Sequence, residues 1–277
     1  MSNEFEGRLN GYSGGVRDAV PSVELRNVRL VYRNSGKPAY ILQDINLSLY
    51  SDDFVCVLGP SGCGKTSLLN VLAGYGAAEG DVLVEGKQHN KPNPDVGVVF
   101  QQPNLFPWLS VEKNIEFSLS LKRMPAAERK KISDKLFRMV DLEHARKLLP
   151  HQISGGMKQR AAIAMTLASD SKIVLFDEPF SGLDALTREA MQKHLLTIWK
   201  SAKKCFFFIT HDVEEALLIS NRIIIMHGGP GRIAGDFINP FRTPVEEFNN
   251  FNEVRSSKDF IPLRAMLIDY IQGITGL

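Results

Sequence analysis

The chain has 277 residues, 44% hydrophobic and 23% charged, which suits one large or two small domains around a sizeable core. Its 33 basic and 31 acidic residues leave a net charge of +2, and that balance argues against a general field for nucleic acid or an anionic membrane surface. The three cysteines, Cys56, Cys63 and Cys205, form no C-x-x-C pair, which argues against a disulfide frame or a cysteine zinc site and for a reducing compartment.

Residues 1–21 are polar, carry Gly and Ser, lack an apolar h-region and read as a flexible tail without a secretory signal. Val23, Leu25, Val28 and Leu30 then alternate roughly with polar residues, as do Ile45, Leu47 and Leu49, so both segments read as antiparallel strands. Apolar Phe54-Val55-Cys56-Val57-Leu58 precedes Gly59-Pro60-Ser61-Gly62-Cys63-Gly64-Lys65-Thr66, and helix-forming Ser67 to Ala73 follows. The middle run matches G-x-x-x-x-G-K-[ST], in the strand–loop–helix context this phosphate-binding motif needs. Its glycines let backbone N–H groups converge on a phosphate, and the helix N-terminus adds partial positive charge. Lys65 would reach the β- and γ-phosphates, and the Thr66 hydroxyl would ligate Mg²⁺. Cys63, inside this loop and beside a helix N-terminus, is expected to favour thiolate and to alkylate unless a bound nucleotide covers it.

Asp81–Gly86 and Val96–Phe100 read as further strands. From about residue 104 to 169 the pattern is helical: Ser110 caps a helix with Val111, Ile115 and Leu119, and Pro125 opens one with Ile132, Leu136 and Val140. Ile173-Val174-Leu175-Phe176 reads as a strand buried on both faces, typical of a parallel sheet. Asp177 and Glu178 close it, where open α/β sheets bind ligands. Asp177 suits a Mg²⁺ shell through water, and Glu178 suits a general base that polarises an attacking water. A helix with Leu186, Ala190 and Leu195 leads to the strand Cys205–Ile209, and Ile223–Met226 is one more strand. Residues from about 245 to 271 are mixed and helical in pattern. No apolar run approaches the ~20 residues that cross a bilayer, so work at a membrane would need another chain to span it. The expected fold class is α/β, with a mainly parallel core, an antiparallel β flank and a helical insert.

One helix upstream of Asp177-Glu178 stands Ile153-Ser154-Gly155-Gly156-Met157-Lys158-Gln159-Arg160, opening a helix of Ala161 to Met165. With the P-loop, this order closely resembles the ATP-binding cassette (ABC) family, whose signature is LSGGQ-like, over about residues 23–235. The resemblance implies a P-loop NTPase of RecA-like fold: a cassette over 22–240, an insert over about 104–169 and a helical extension over 241–277. Tyr32 matches the aromatic that stacks on adenine, and Gly59 through Ser67 would hold the nucleotide. Gln101 matches the Q-loop glutamine that touches Mg²⁺ or the water, although neighbouring Gln102 offers the same chemistry. Ser181-Gly182-Leu183-Asp184 matches the D-loop, and His211 the switch histidine at the γ-phosphate. Ser154, Gly155 and Gly156 would face the ATP held by a second copy of the chain, so that two copies bury two nucleotides.

The finer resemblance is to importer ATPases for nitrate, taurine and aliphatic sulfonates. It rests on the SGGM-K-Q-R run, on Leu105-Phe106-Pro107-Trp108, and on Gly229-Pro230-Gly231-Arg232-Ile233. Phe180-Ser181-Gly182-Leu183-Asp184 departs from it, since that group usually has FGALD. The resemblance implies integral membrane permease subunits as partners, reached through the insert. A periplasmic or lipoprotein solute-binding protein would be an indirect partner, and the chain would sit peripherally on the cytoplasmic face of the inner membrane. Phe106 and Trp108 either anchor the permease or pack the insert's own core. A sulfonate, nitrate or a pyrimidine vitamin precursor all remain open as cargo. The rival reading is a soluble non-transport cassette ATPase acting on nucleic acid or ribosomes; a single cassette without a heptad arm or basic stretch argues against it, so no nucleic-acid partner is expected.

Overall fold

The computed structural model describes residues 19–34, 37–202, 204–241 and 251–273, so most of the tail expected over 1–21 lies outside the described residues. The elements run β1 (Val23–Asn34), β2 (Lys37–Leu49), β3 (Phe54–Leu58), α1 (Lys65–Leu72), β4 (Glu79–Val84), β5 (Lys87–Gln88), β6 (Val96–Val99), α2 (Val111–Leu121), α3 (Ala126–Met139), α4 (Gly155–Ala168), β7 (Ile173–Asp177), α5 (Ala185–Ala202), β8 (Cys205–Ile209), α6 (Val213–Ile219), β9 (Arg222–His227), β10 (Arg232–Ile238), α7 (Phe251–Arg255) and α8 (Phe260–Gly273). The chain forms two compact units, one of Met1–Asn93 with Cys205–Leu277 and one of Pro94–Lys204.

In the first unit β1 pairs antiparallel with β2 and β4, giving the sheet order β2-β1-β4-β5. Val23, Leu25, Val28 and Leu30 are buried along β1, as are Leu42, Ile45, Leu47 and Leu49 along β2. The break in alternation between Leu25 and Val28 is a register shift at Asn27, whose φ is 50°. The second set of strands runs β10-β9-β3-β8, with β3 parallel to both β8 and β9 and β9 antiparallel to β10. Every residue of β3 and β8 is buried, as continuous apolar runs require when both faces are covered. The Phe54 and Phe206 rings meet edge to face at 5.3 Å.

Besides the two-residue β5, two elements of this unit escaped the sequence reading. β10 carries Gly235 and Asp236 in its middle, which hides its alternation. Asp236 is there because both its oxygens pair with the buried Arg222 guanidinium, at 2.8 and 2.6 Å. The short α6 supports the C-terminal helices α7 and α8. Arg255 Nε donates to Glu214 Oε1 at 2.8 Å, and Phe260, Leu263 and Leu267 of α8 are buried.

In the second unit β6 and β7 pair in parallel, Val96 opposite Ile173 and Val99 opposite Phe176. The helices fall where the helical pattern predicts them. Ser110 caps α2 by accepting from Lys113 N–H at 3.3 Å, and Val111, Ile115 and Leu119 are buried. Along α3 Leu136 is buried as expected, as is Val140 just past its end, with Ser133 and Phe137 beside them, while Ile132 is only half-buried. Phe137 also lies under the Arg146 guanidinium, 4.2 Å from ring centroid to Cζ. Gly97 lets α4 approach β6: a Cβ there would lie 2.8 Å from Thr166 Cγ2 and 3.1 Å from Ser171 Oγ. The molecule thus has the expected α/β class, with parallel strands, an antiparallel flanking sheet and helices.

Candidate functional site

The P-loop of the first unit is shaped by three left-handed or near-left-handed glycines, Gly59, Gly62 and Gly64, with φ of 152°, 80° and 98°. Gly64 is the N-cap of α1 and has no side chain to cap it. The opening N–H groups of any α-helix lack intrahelical partners, so this end offers donors and partial positive charge to an anion. A Cβ on Gly62 would meet nothing within 4 Å, so the loop is open on that side. Lys65 Nζ donates to Gly59 O at 2.8 Å and Pro60 O at 2.9 Å, which lays the ammonium along the loop itself. These features fit a polyphosphate: open space, a helix N-terminus and a fixed cation.

Cys63 does not behave as expected. It is only 1% exposed, and burial pushes its thiol up, outweighing the lowering effect of nearby Lys65. The expectation of a reactive thiolate is therefore corrected; desolvation beats the helix terminus and the ammonium.

His211 follows β8 and is exposed, as is Tyr32, at 61%. The backbone around His211 is pinned from both sides. Thr210 O–H donates to Glu215 Oε2 at 2.5 Å and accepts from Asp212 N–H at 3.0 Å. Asp212 Oδ1 in turn caps α6, accepting from Glu214 and Glu215 N–H at 2.9 and 3.2 Å. Sequence reasoning missed this staple, although Asp212 ahead of two glutamates is a helix-start signal.

In the second unit Asp177 is buried at the end of β7, and half-buried Glu178 takes φ 44°. A glutamate held in the left-handed region is backbone strain at the residue expected to carry chemistry. Gln101 Nε2 donates to Glu178 Oε2 at 3.4 Å, so these two side chains come together and Gln102 is not needed to explain the contact. Gln159, 4% exposed on α4, donates to Phe100 O at 3.1 Å and holds the backbone just before Gln101.

Ser154 N-caps α4, accepting from Met157 N–H at 3.3 Å, while its own hydroxyl proton stays available as a donor. Ser154 and Gly155 are exposed. A Cβ on Gly156 would sit 3.2 Å from Leu183 Cδ2 of the Ser181–Asp184 turn, so that glycine answers a packing need. Asp184 caps α5 through Thr187 N–H at 3.0 Å, a bond that holds its carboxyl below the usual range.

Asn114, fully buried, builds the loop before α2. It accepts from Phe106 N–H at 2.7 Å and donates to the carbonyls of Phe106, Leu109 and Ser110. Phe106 packs on Phe117 at 4.6 Å, whereas Trp108 remains 73% exposed beside it. The two alternatives for this segment therefore divide: Phe106 joins the unit's own packing and Trp108 faces outward.

Among the described residues no group of three or more His, Cys, Asp or Glu could hold a metal unaided. Each unit carries oxygen donors of the kind Mg²⁺ takes, the Thr66 hydroxyl in the first and the Asp177 carboxylate and Gln101 amide in the second. Also among the described residues, no helix is long and apolar enough to cross a membrane.

The sequence profile of the ABC transporter family matches residues 42–181, from β2 past the Asp177-Glu178 pair. The chain belongs to the ABC transporter family. It is 48% identical over 212 residues to an uncharacterised ABC transporter ATP-binding protein of Methanocaldococcus jannaschii, covering 76% of this chain and 79% of that protein. To the taurine import ATP-binding protein TauB of Roseobacter denitrificans it is 41% identical, over 86% of this chain and 88% of the relative. To the aliphatic sulfonates import ATP-binding protein SsuB of Bacillus cereus it is again 41% identical, over 84% and 93%. Its fold is similar to a dimeric ATP-binding cassette in a post-hydrolysis state bound to ADP and Pi, at 32% identity and TM-score 0.69 over 76% of this chain and 98% of that one. A dimeric bacterial ABC transporter cassette is likewise similar, at 32% identity and TM-score 0.72 over 78% and 98%. As a member of the ABC family, the chain is a P-loop ATPase and binds ATP.

Proposed function

We propose that the chain is the ATP-hydrolysing subunit of an ABC importer for a small anionic solute of the taurine, sulfonate or nitrate type. The observation that carries this reading is the 41% identity to taurine and sulfonate import ATP-binding proteins over more than four-fifths of the chain. Two copies would close on two ATP molecules, and permease subunits in the membrane would receive the motion. Exposed Trp108 supports a docking role, since aromatic anchors dominate interface energetics. The chain would then sit on the cytoplasmic face of the inner membrane.

The residues take distinct tasks in this reading. The P-loop N–H groups and Lys65 hold the phosphates, and Tyr32 offers its face to adenine. Thr66, Gln101 and Asp177 would hold Mg²⁺, which supplies charge neutralisation on the phosphates. Glu178, steered by Gln101, takes the proton of the attacking water. His211 donates to the γ-phosphate and stabilises charge as the bond breaks. Ser154 on α4 presents its hydroxyl and a helix N-terminus to the nucleotide of the other copy.

Glu178→Gln tests this directly. Loss of a general base lowers turnover by about 10²–10⁴-fold. With saturating Mg-ATP the variant should elute as a dimer in size exclusion with light scattering, and as a monomer without nucleotide. A variant that stays monomeric with ATP, or that hydrolyses it at the native rate, refutes the mechanism.

A further inference from the structure

The turn between β9 and β10 packs directly behind the P-loop. A Cβ on Gly231 would lie 2.4 Å from Cys63 O, 3.0 Å from Ile41 O and 3.1 Å from Leu42 Cδ2. On Gly228 it would lie 3.4 Å from Cys63 Cα. From the loop's side, a Cβ on Gly59 would lie 2.4 Å from Met226 O, and one on Gly64 2.8 Å from Leu42 Cδ2. Gly231 is also hydrogen-bonded to β2 on both sides of Leu42: its N–H donates to Ile41 O at 2.9 Å, and its carbonyl accepts from Gln43 N–H at 3.0 Å. One residue of the turn thus touches the P-loop and the strand paired with β1, which carries Tyr32 opposite Ala39.

Glycine at 231 answers a need for space. Its φ lies outside the left-handed region, unlike that of Gly229 at 78°, so torsion alone would admit an L residue. The obstacle is the Cys63 carbonyl. A separation of 2.4 Å lies far inside van der Waals contact, and backbone on both sides offers no rotamer to relieve it.

We propose that Gly231 is a positioning residue for nucleotide binding, setting the P-loop and the Tyr32 platform in one fixed relation. This rests on the assignment of the P-loop and Tyr32 to ATP given above. A side chain at 231 pushes either the loop or β2 out of place, so affinity for nucleotide falls, while Glu178, Gln101 and His211, carried by other elements, keep their places.

The test compares Gly231→Ala with Gly229→Ala. The second strains the same turn, but its Cβ would meet nothing within 4 Å. Gly231→Ala should raise the KM for ATP and the Kd for a fluorescent ATP analogue by about five- to a hundredfold, from overpacking, with kcat at saturating ATP held within about threefold. Gly229→Ala should hold nucleotide affinity within about twofold, whatever it does to the melting temperature. Native affinity in Gly231→Ala, or an equal loss in Gly229→Ala, overturns the proposal. The wild-type chain gives an independent measurement should the variant fail to fold. On adding a non-hydrolysable ATP analogue, hydrogen exchange at the Gly231 and Gln43 amides should slow together with residues 59–66. Protection of the P-loop without those two amides overturns the positioning role. An unprotected P-loop removes the nucleotide assignment itself, and the proposal with it.

Discussion

Thr210→Val probes the staple that holds His211. Thr210 is 2% exposed and Glu215 6%, so their hydrogen bond is made away from water. Valine reproduces the shape of threonine and opens no cavity, but it deletes the donor to the Glu215 carboxylate and the acceptor for Asp212 N–H. A hydrogen bond to a charged group contributes about 1.5–3 kcal/mol and a neutral one about 1 kcal/mol. Some recovery by rearrangement brings the expected loss to about 2–3 kcal/mol. At about 2–4 °C per kcal/mol that lowers the melting temperature by about 4–12 °C. Thr210→Ser keeps both bonds and loses one buried methyl, about 1 kcal/mol. Urea unfolding of the three proteins measures the difference, and ATP turnover by the variants shows whether His211 has lost its place. If valine unfolds with the wild type, or serine falls as far as valine, the staple contributes nothing and the reasoning fails.

Two further outcomes follow from burial and exposure. His89 is 5% exposed with Nε2 3.0 Å from Leu72 O, and burial lowers its pKa below the ordinary 6.5. As pH falls below about 6.5 the unfolded chain takes up this proton first, so the contribution of His89 is present above that pH and is lost as pH falls through the folded value. Unfolding at about pH 8 and about pH 5.5 should show a smaller difference in His89→Gln than in the wild type, and an equal difference would remove His89 from the acid response. Trp108→Ala should change stability by no more than about 0.5 kcal/mol, because the indole is already largely in water. In membranes containing the permease it should weaken co-sedimentation of the chain, and native co-sedimentation would exclude Trp108 as an anchor.

Much of this molecule is legible along the chain. β3, β8 and the first four residues of β7 are continuous apolar runs buried at every position, and the P-loop sits between an apolar strand and a helix, as its motif requires. What stays hidden depends on contacts distant in sequence. Cys63 is buried, with the turn at residues 228–231 packed against its backbone, and that burial, which pushes its thiol up, is not encoded by its neighbours in sequence. Asn114 looks like an ordinary polar position on α2, yet it folds the backbone of residues 106–110 around its amide. Asp236 weakens the pattern of β10 in order to pair with Arg222. In each case a polar or small residue satisfies a partner that periodicity does not reveal.

The narrow gap at Gly97 ties substitutions on β6 to those on α4 and the turn after it. Because the missing side chain there is matched by the methyl of Thr166 and the hydroxyl of Ser171, the three sites are sterically coupled. An alanine Cβ at 97 would meet Thr166 Cγ2 at 2.8 Å, so a smaller residue at 166 should lower the cost of that substitution and make the two changes non-additive.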